Sequence, residues 1–280
     1  MSLSGFCLKN VLLKNDGGTI VRRIIGDIKK HYKYVTYSTV ATLKAEVAGS
    51  RLNWIWWILE PFCFMLVYAV VFGVIFNASE PNQALFIFVG LSAWQFFSRV
   101  IKQSVGILKK NRQVIGKIYM PKYILIIQNI CVNGFKMLVC FLISFALMIY
   151  YKIGFSFGML RIIPWFISFI IFVFGFGCFM MHFGLLLKDL GNITDIILRF
   201  LTYFVGVYYS IEKRIPAPFN SYLVRWNPIA FFIDCIRRIL IYNAPLDWVT
   251  FVFWTVISVI IAYAGIQLVY KNENSYVKVI

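Results

Sequence analysis

The sequence predicts an all-α polytopic membrane protein. It would have six transmembrane helices, an N-terminal amphipathic interfacial helix and re-entrant elements before the last span. Three observations lead there. Of its 280 residues, 61% are hydrophobic and only 14% charged, where a soluble domain carries about 25% charged residues. Several apolar runs reach the ~20 residues that a helix needs to cross hydrocarbon. Between Arg51 and Pro61 the chain sets a cation, then Trp54, Trp56 and Trp57, then Glu60 and Pro61, and continues through residues 62–76 without a charge. A polypeptide crossing a membrane–water interface has that order, with the base among headgroups and the indoles in the interfacial belt.

The elements follow in order. Residues 1–18 are mixed in character and end on a turn signal, Asp16, Gly17 and Gly18. Over residues 19–37, Val21, Ile24, Ile25, Ile28, Tyr32 and Val35 recur at helical spacing. Arg22, Arg23, Lys29, Lys30 and Lys33 fill the other positions. A basic amphipathic helix of this kind lies in a membrane surface, though a cytosolic helix packed on a partner has the same pattern.

The first span is expected at 57–76, and residues 84–98 begin the second, which ends near Arg99 and Lys102, with a turn-rich loop lacking bases between the two spans. Arg99 and Lys102 would then snorkel to the interface. A short basic segment, 109–122, leads into a third span at 123–151, whose single charge is Lys136. Lys136 would either pair with Glu60 or line a polar cavity. A fourth span is expected at 162–187 and a fifth at 193–210, where Asp195 and Arg199, four apart, can pair. Residues 211–248 hold four prolines and only short apolar patches, which suit re-entrant or interfacial elements. A sixth span at 249–270 precedes a polar tail.

Six spans put both termini on one side. Basic residues collect before the first span and between the second and third, so both ends are expected in the cytoplasm. The net charge of +17 sits in segments flanking apolar runs. That matches topology and lipid headgroups rather than nucleic acid. No uninterrupted apolar stretch occurs before Arg23, so the first span would act as its own insertion signal. The six cysteines show no CxxC spacing, which argues against a disulfide framework or zinc site.

The chain has no G-x-x-x-x-G-K-[ST], G-x-S-x-G or H-E-x-x-H. His182, inside a span, suits packing better than ligation. Few ionisable groups fall at membrane depth, against a proton-coupled carrier, and no internal repeat suggests an inverted-repeat one. A non-enzymatic scaffold driven from outside remains. The segment carrying Arg112, Gln113, Val114, Ile115 and Lys117 is either a docking helix or a solvated basic loop.

Three segments carry a resemblance to a known family. They are Leu52 to Pro61, Asn111 to Pro121 (a basic-apolar helix closing on aromatic-x-Pro), and Trp226, Asn227, Pro228 and Ile229 followed by Arg237 and Arg238. In this order the chain resembles the membrane subunits of type-2 ABC exporters, in the branch exporting polysaccharide, O-antigen and teichoic acid. Asn53 stands where that family usually has Gly, and Ala45, Glu46 and Val47 replace its Arg-Tyr.

The resemblance implies a permease without its own nucleotide site in a bacterial cytoplasmic (inner) membrane. Two copies would form one pore above two ATP-binding cassette subunits, with ATP and Mg bound there and no cofactor on this chain. The substrate would be a polyprenyl-linked glycan. By the same resemblance, residues 1–53 hold the interfacial helix and 54–271 the transmembrane domain. Within the latter, 108–117 would be the coupling helix and 211–248 the re-entrant region, with 272–280 a cytoplasmic tail.

Arg22, Arg23, Lys29, Lys30, Trp54, Trp56 and Trp57 would mark the interfacial entrance. Trp226, Asn227, Pro228, Arg237 and Arg238 would mark the outer gate. Sugar rings stack on aromatics, so Trp94, Phe97, Tyr203, Tyr208 and Tyr209 are pore candidates, with core packing as their other use. Two further functions stay open: a type-2 exporter of drugs or lipids, and a non-transporting scaffold for envelope assembly.

Overall fold

The computed structural model of the protein describes residues 17–48, 53–75, 80, 82–117 and 119–279, and all regular structure among them is helical. Arg51 and Leu52 lie outside the described residues.

Helix α1, Gly17–Val47, runs well past the expected 19–37. Thr39, Leu43 and Val47 prolong the stripe begun by Val35, and no glycine or proline interrupts it before Gly49. Helix α2 spans Trp56–Val70 and continues into a wide turn at Val71–Ile75. Helix α3 is Gln83–Lys110, α4 Arg112–Lys117 and α5 Tyr123–Tyr150.

The second span is expected to end near Arg99 and Lys102, but α3 runs on to Lys110. Val100, Ile101, Ser104, Ile107 and Leu108 keep one face buried beyond Arg99. Its 28 residues make a rod about 42 Å long.

Helix α1 lies along α5. The Tyr123 hydroxyl donates to Asp27 at 2.8 Å, Gln128 donates to Thr42 at 3.0 Å, and Lys136 pairs with Glu46. These anchors climb both helices in the same direction. Lys136 therefore does not pair with Glu60 as expected. The extension of α1 delivers Glu46 to it, and Glu60 is held by Arg99 at 2.9 Å.

Helix α6 is Ile162–Leu186 and α11 is Trp248–Val279. They touch through small residues: a Cβ on Gly175 would lie 2.6 Å from the Ala262 backbone nitrogen. Gly184 meets the Val105 backbone of α3 in the same way. Between helices in lipid, such close approach supplies the dispersion that hydrophobic burial does not. The aromatic heart of the bundle is Phe96, Phe141, Trp165, Phe169, Phe172 and Phe232.

Among the described residues, five helices are long and apolar enough to cross a membrane: Trp56–Gly73, Gln83–Lys110, Tyr123–Tyr150, Phe157–Leu186 and Trp248–Glu273. Within the expected fifth span the regular helix is α7, Leu190–Phe204, of 15 residues. Its length of about 22 Å is short of the ~30 Å hydrocarbon. The helix ends where Gly206 adopts φ +69°, a conformation that glycine reaches without a Cβ clash.

The expected Asp195–Arg199 pair is absent as well. Because α7 lies against α3, Asp195 pairs with Lys102 at 3.0 Å. Three short helices follow, α8 Ile211–Arg214, α9 Phe219–Trp226 and α10 Pro228–Leu240. The last helix carries on through the expected tail, since nothing between Lys271 and Val279 breaks it. Tyr276 is buried there and its hydroxyl lies 2.8 Å from His182 Nδ1, a partner that local sequence could not indicate.

Candidate functional site

Three zones hold the polar chemistry of the chain. The first surrounds α4. Asn111 ends α3 by donating its amide to the Ile107 carbonyl at 2.8 Å, which turns the chain into α4. Ile115 is buried and Val114 half-buried against the protein's own core, whereas Arg112, Gln113 and Lys117 are exposed. The apolar pair thus fastens α4 to the bundle, and the polar side chains face outward.

Beside it Lys122 is buried and donates to the Met120 carbonyl at 3.1 Å. Burial pushes its ammonium below the usual lysine range, and Glu273 opposes that shift. Asp27 joins three helices here, accepting from Tyr123 at 2.8 Å and from Tyr270 at 3.0 Å. The Arg23 guanidinium lies 4.6 Å over the Tyr270 ring. Arg22, Lys29 and Lys30 are exposed along α1. Trp54 and Trp56 are exposed too, and Trp57 meets Phe135 edge-on at 5.8 Å.

The second zone is a polar cleft that sequence reasoning missed. Ser38 and Thr42 of α1, Arg99, Lys102, Gln103 and Lys110 of α3, and Gln128 and Asn129 of α5 line a cavity of about 400 Å³. Arg99 and Lys102 also border a groove with Trp94, Asp195, Arg199 and Thr202. Asn129 donates to the Val100 carbonyl at 3.1 Å, and Asn133 to Gln103 at 2.9 Å. A signal was present. Arg99, Lys102, Gln103 and Lys110 stand at i, i+3, i+4 and i+11, a polar stripe on an otherwise apolar helix.

The third zone closes the other end. Asn227 begins α10: its carbonyl side chain accepts from the Ile229 and Ala230 amides at 3.1 and 3.3 Å, and Pro228 occupies the first turn, where no donor is needed. The Trp-Asn-Pro sequence is therefore a helix start. Trp226 is exposed and edge-on to Phe253.

Arg237 is 4% exposed. It donates to the carbonyls of Phe86 at 3.2 Å, Gly206 at 2.7 Å and Val207 at 2.6 Å, and its guanidinium stacks 3.6 Å over the Phe86 ring. Gly90 leaves the space it occupies. Arg238 instead faces outward to Asp234 at 2.6 Å and Glu212 at 2.7 Å.

The five candidate pore aromatics separate into two groups. Trp94 and Phe97 are 5% and 2% exposed, and Phe97 packs on Phe172 and Phe176 inside the chain. Tyr203, Tyr208 and Tyr209 come together. Tyr208 stacks on Tyr68 with centroids 3.8 Å apart and lies 5.5 Å from Phe72. Tyr209 donates to the Tyr203 carbonyl at 2.6 Å, and the Tyr203 ring is 61% exposed.

No family model matches the chain. It is similar to the O-antigen export system permease protein RfbA of Klebsiella pneumoniae, 24% identical over 239 residues, 85% of this chain and 91% of the relative. It is also similar to the polysialic acid transport protein KpsM of Escherichia coli, 23% identical over 243 residues, 83% of this chain and 91% of the relative. A 93-residue segment is 33% identical to the O-antigen export system permease protein RfbA of Myxococcus xanthus, covering 32% of this chain and 36% of that relative. Nearly end to end, the chain is homologous to the O-antigen export permease RfbA and the polysialic acid transport protein KpsM.

Proposed function

We propose that this chain is the permease subunit of an ATP-driven exporter that moves a lipid-linked cell-surface polysaccharide across the bacterial cytoplasmic membrane. The observation that carries this reading is the near end-to-end likeness to permeases of polysaccharide-export systems, combined with at least five apolar helices. Two copies form the conduit, and two ATP-binding subunits dock beneath them. Helix α4 is the coupling element, with Arg112, Gln113 and Lys117 offered to the ATPase and Val114 and Ile115 transmitting its displacement to the bundle.

A sixth crossing is made by α7 together with residues 205–210. Lys213, just beyond, pairs with Glu80 between α2 and α3 at 2.7 Å, which supports placing that end of the crossing with the α2–α3 loop. Both termini then face the cytoplasm. Helices α9 and α10 form the re-entrant outer gate, and Tyr203, Tyr208 and Tyr209 offer stacking faces to passing sugars. The polar cleft is the inner vestibule, because charged side chains at membrane depth face a cavity or a partner.

Deleting the gene for this chain tests the reading. The expected result is loss of one surface polysaccharide, with its lipid-linked form accumulating inside the cell. Unchanged surface glycans would contradict it.

A further inference from the structure

We propose that the groove between α1, α5 and α6 holds one acyl chain of a resident anionic glycerophospholipid, with Lys44 meeting its phosphate. The proposal needs only that the chain sits in a membrane, and it stands apart from the exporter reading. The space is about 600 Å³, walled by Leu43 and Val47 of α1, Leu138 of α5 and Ile170 of α6, with Trp57 of α2 beside them. Cys131 and Gly134, one turn apart on α5, are the smallest residues of its lining and leave it hollow. It shares no lining residue with the polar cleft.

An apolar hollow facing lipid does not stay empty, because its lining would lack dispersion partners on one side. Water there would want about three polar partners, and beyond Thr39, Lys44, the Trp57 indole and a thiol the lining side chains supply none. A hydrocarbon chain fits that demand, and Val40 and Leu138 of the lining, 44% and 50% exposed, already present apolar surface to it. Lys44 decides which lipid brings the chain. It lines the groove, is exposed, and has no ion pair among the described residues. Glu46, two residues on, is held by Lys136 of α5. The exposed indoles of Trp54 and Trp56, next to Trp57, put this level in the interfacial belt, where headgroups lie. A lysine there lays its stem on apolar surface and lifts its ammonium to a phosphate. Anionic lipids attract such a cation, whereas a zwitterionic headgroup brings a cation of its own.

The test titrates the full chain in mild detergent with phosphatidylglycerol. Retained lipid is read by native mass spectrometry, and Cys131, exposed in the groove, by its labelling rate with a hydrophobic maleimide. Wild type should keep one phosphatidylglycerol per chain and label more slowly at Cys131 when it is bound. Lys44→Gln should weaken binding by ~10-fold, the scale of one charge-assisted hydrogen bond, and Lys44→Arg should restore it. Leu138→Trp should fill the groove and exclude the lipid without lowering the melting temperature. Equal retention of phosphatidylcholine, or no effect of Lys44→Gln, would mean ordinary bilayer contact and overturn the proposal. Tighter binding of a polyprenyl phosphate would give the groove to a carried lipid, and a dimer dissociated by Leu138→Trp would give it to a second copy. Either result would overturn it as well.

Discussion

Arg237 and Arg99 show how differently one chain uses the same side chain. Arg237 is enclosed between α10 and α3, donates to three carbonyls and, among the described residues, has no hydrogen-bonded or ion-paired carboxylate. Arg99 is partly exposed beside a cavity and meets one glutamate. The first has its donors engaged by backbone that nothing else would satisfy, so it is committed to structure. The second keeps donors free and an exchangeable partner, so it is available to a ligand. Charge near membrane depth marks function only where the surroundings leave it unspent.

The contrast can be broken in order of effect. Arg237→Ala should cost the most, roughly 3 kcal/mol or more, because it orphans buried carbonyls and leaves a void. Thermal unfolding in detergent and proteolysis across residues 205–247 would report it, and an unchanged melting curve would remove Arg237 from the structural side. Gly90→Leu, which takes the guanidinium's space, should lose about 1–3 kcal/mol by overpacking. Asn227→Ala removes the cap of α10 and should cost about 1 kcal/mol in the same melt.

On the other side, Arg99→Gln should change stability by no more than about 1 kcal/mol, as exposed ion pairs do. It should nonetheless reduce export in cells. A large loss of stability would put Arg99 in the same class as Arg237. Smallest in stability is Arg112→Glu, on an exposed position. It is expected to melt as wild type while uncoupling ATP hydrolysis from export. Val114→Asp is a poorer probe, because Val114 packs on the protein's own core.

Much of this was legible in the sequence, for reasons that differ by region. Apolar runs fix where a helix can cross, so four expected spans coincide with long helices at Trp56–Gly73, Tyr123–Tyr150, Phe157–Leu186 and Trp248–Glu273, and a fifth lies within Gln83–Lys110. Helix ends were less visible. Charges at Arg99 and Lys271 suggest termini to a reader of hydropathy, yet neither breaks helical geometry, and α3 and α11 run through them. Conversely, residues 193–210 are apolar enough to suggest a span, but Gly206 ends the regular helix.

Pairings were the least accessible. Asp27 with Tyr123 and Tyr270, or His182 with Tyr276, join segments 94 to 243 residues apart, and only packing brings them together. The short basic helix Arg112–Lys117 was recognisable by composition. The cleft was not, because its stripe on α3 reads as interface snorkelling until α1 and α5 enclose it.

The measurement that tests the central claim most directly is reconstitution of this chain with its ATP-binding subunit in proteoliposomes, following the leaflet position of a lipid-linked glycan. The account predicts ATP-dependent movement of the glycan headgroup to the opposite leaflet, lost in Arg112→Glu while the complex stays assembled. No movement with active ATP hydrolysis, or equal movement of the Arg112→Glu variant, would contradict it.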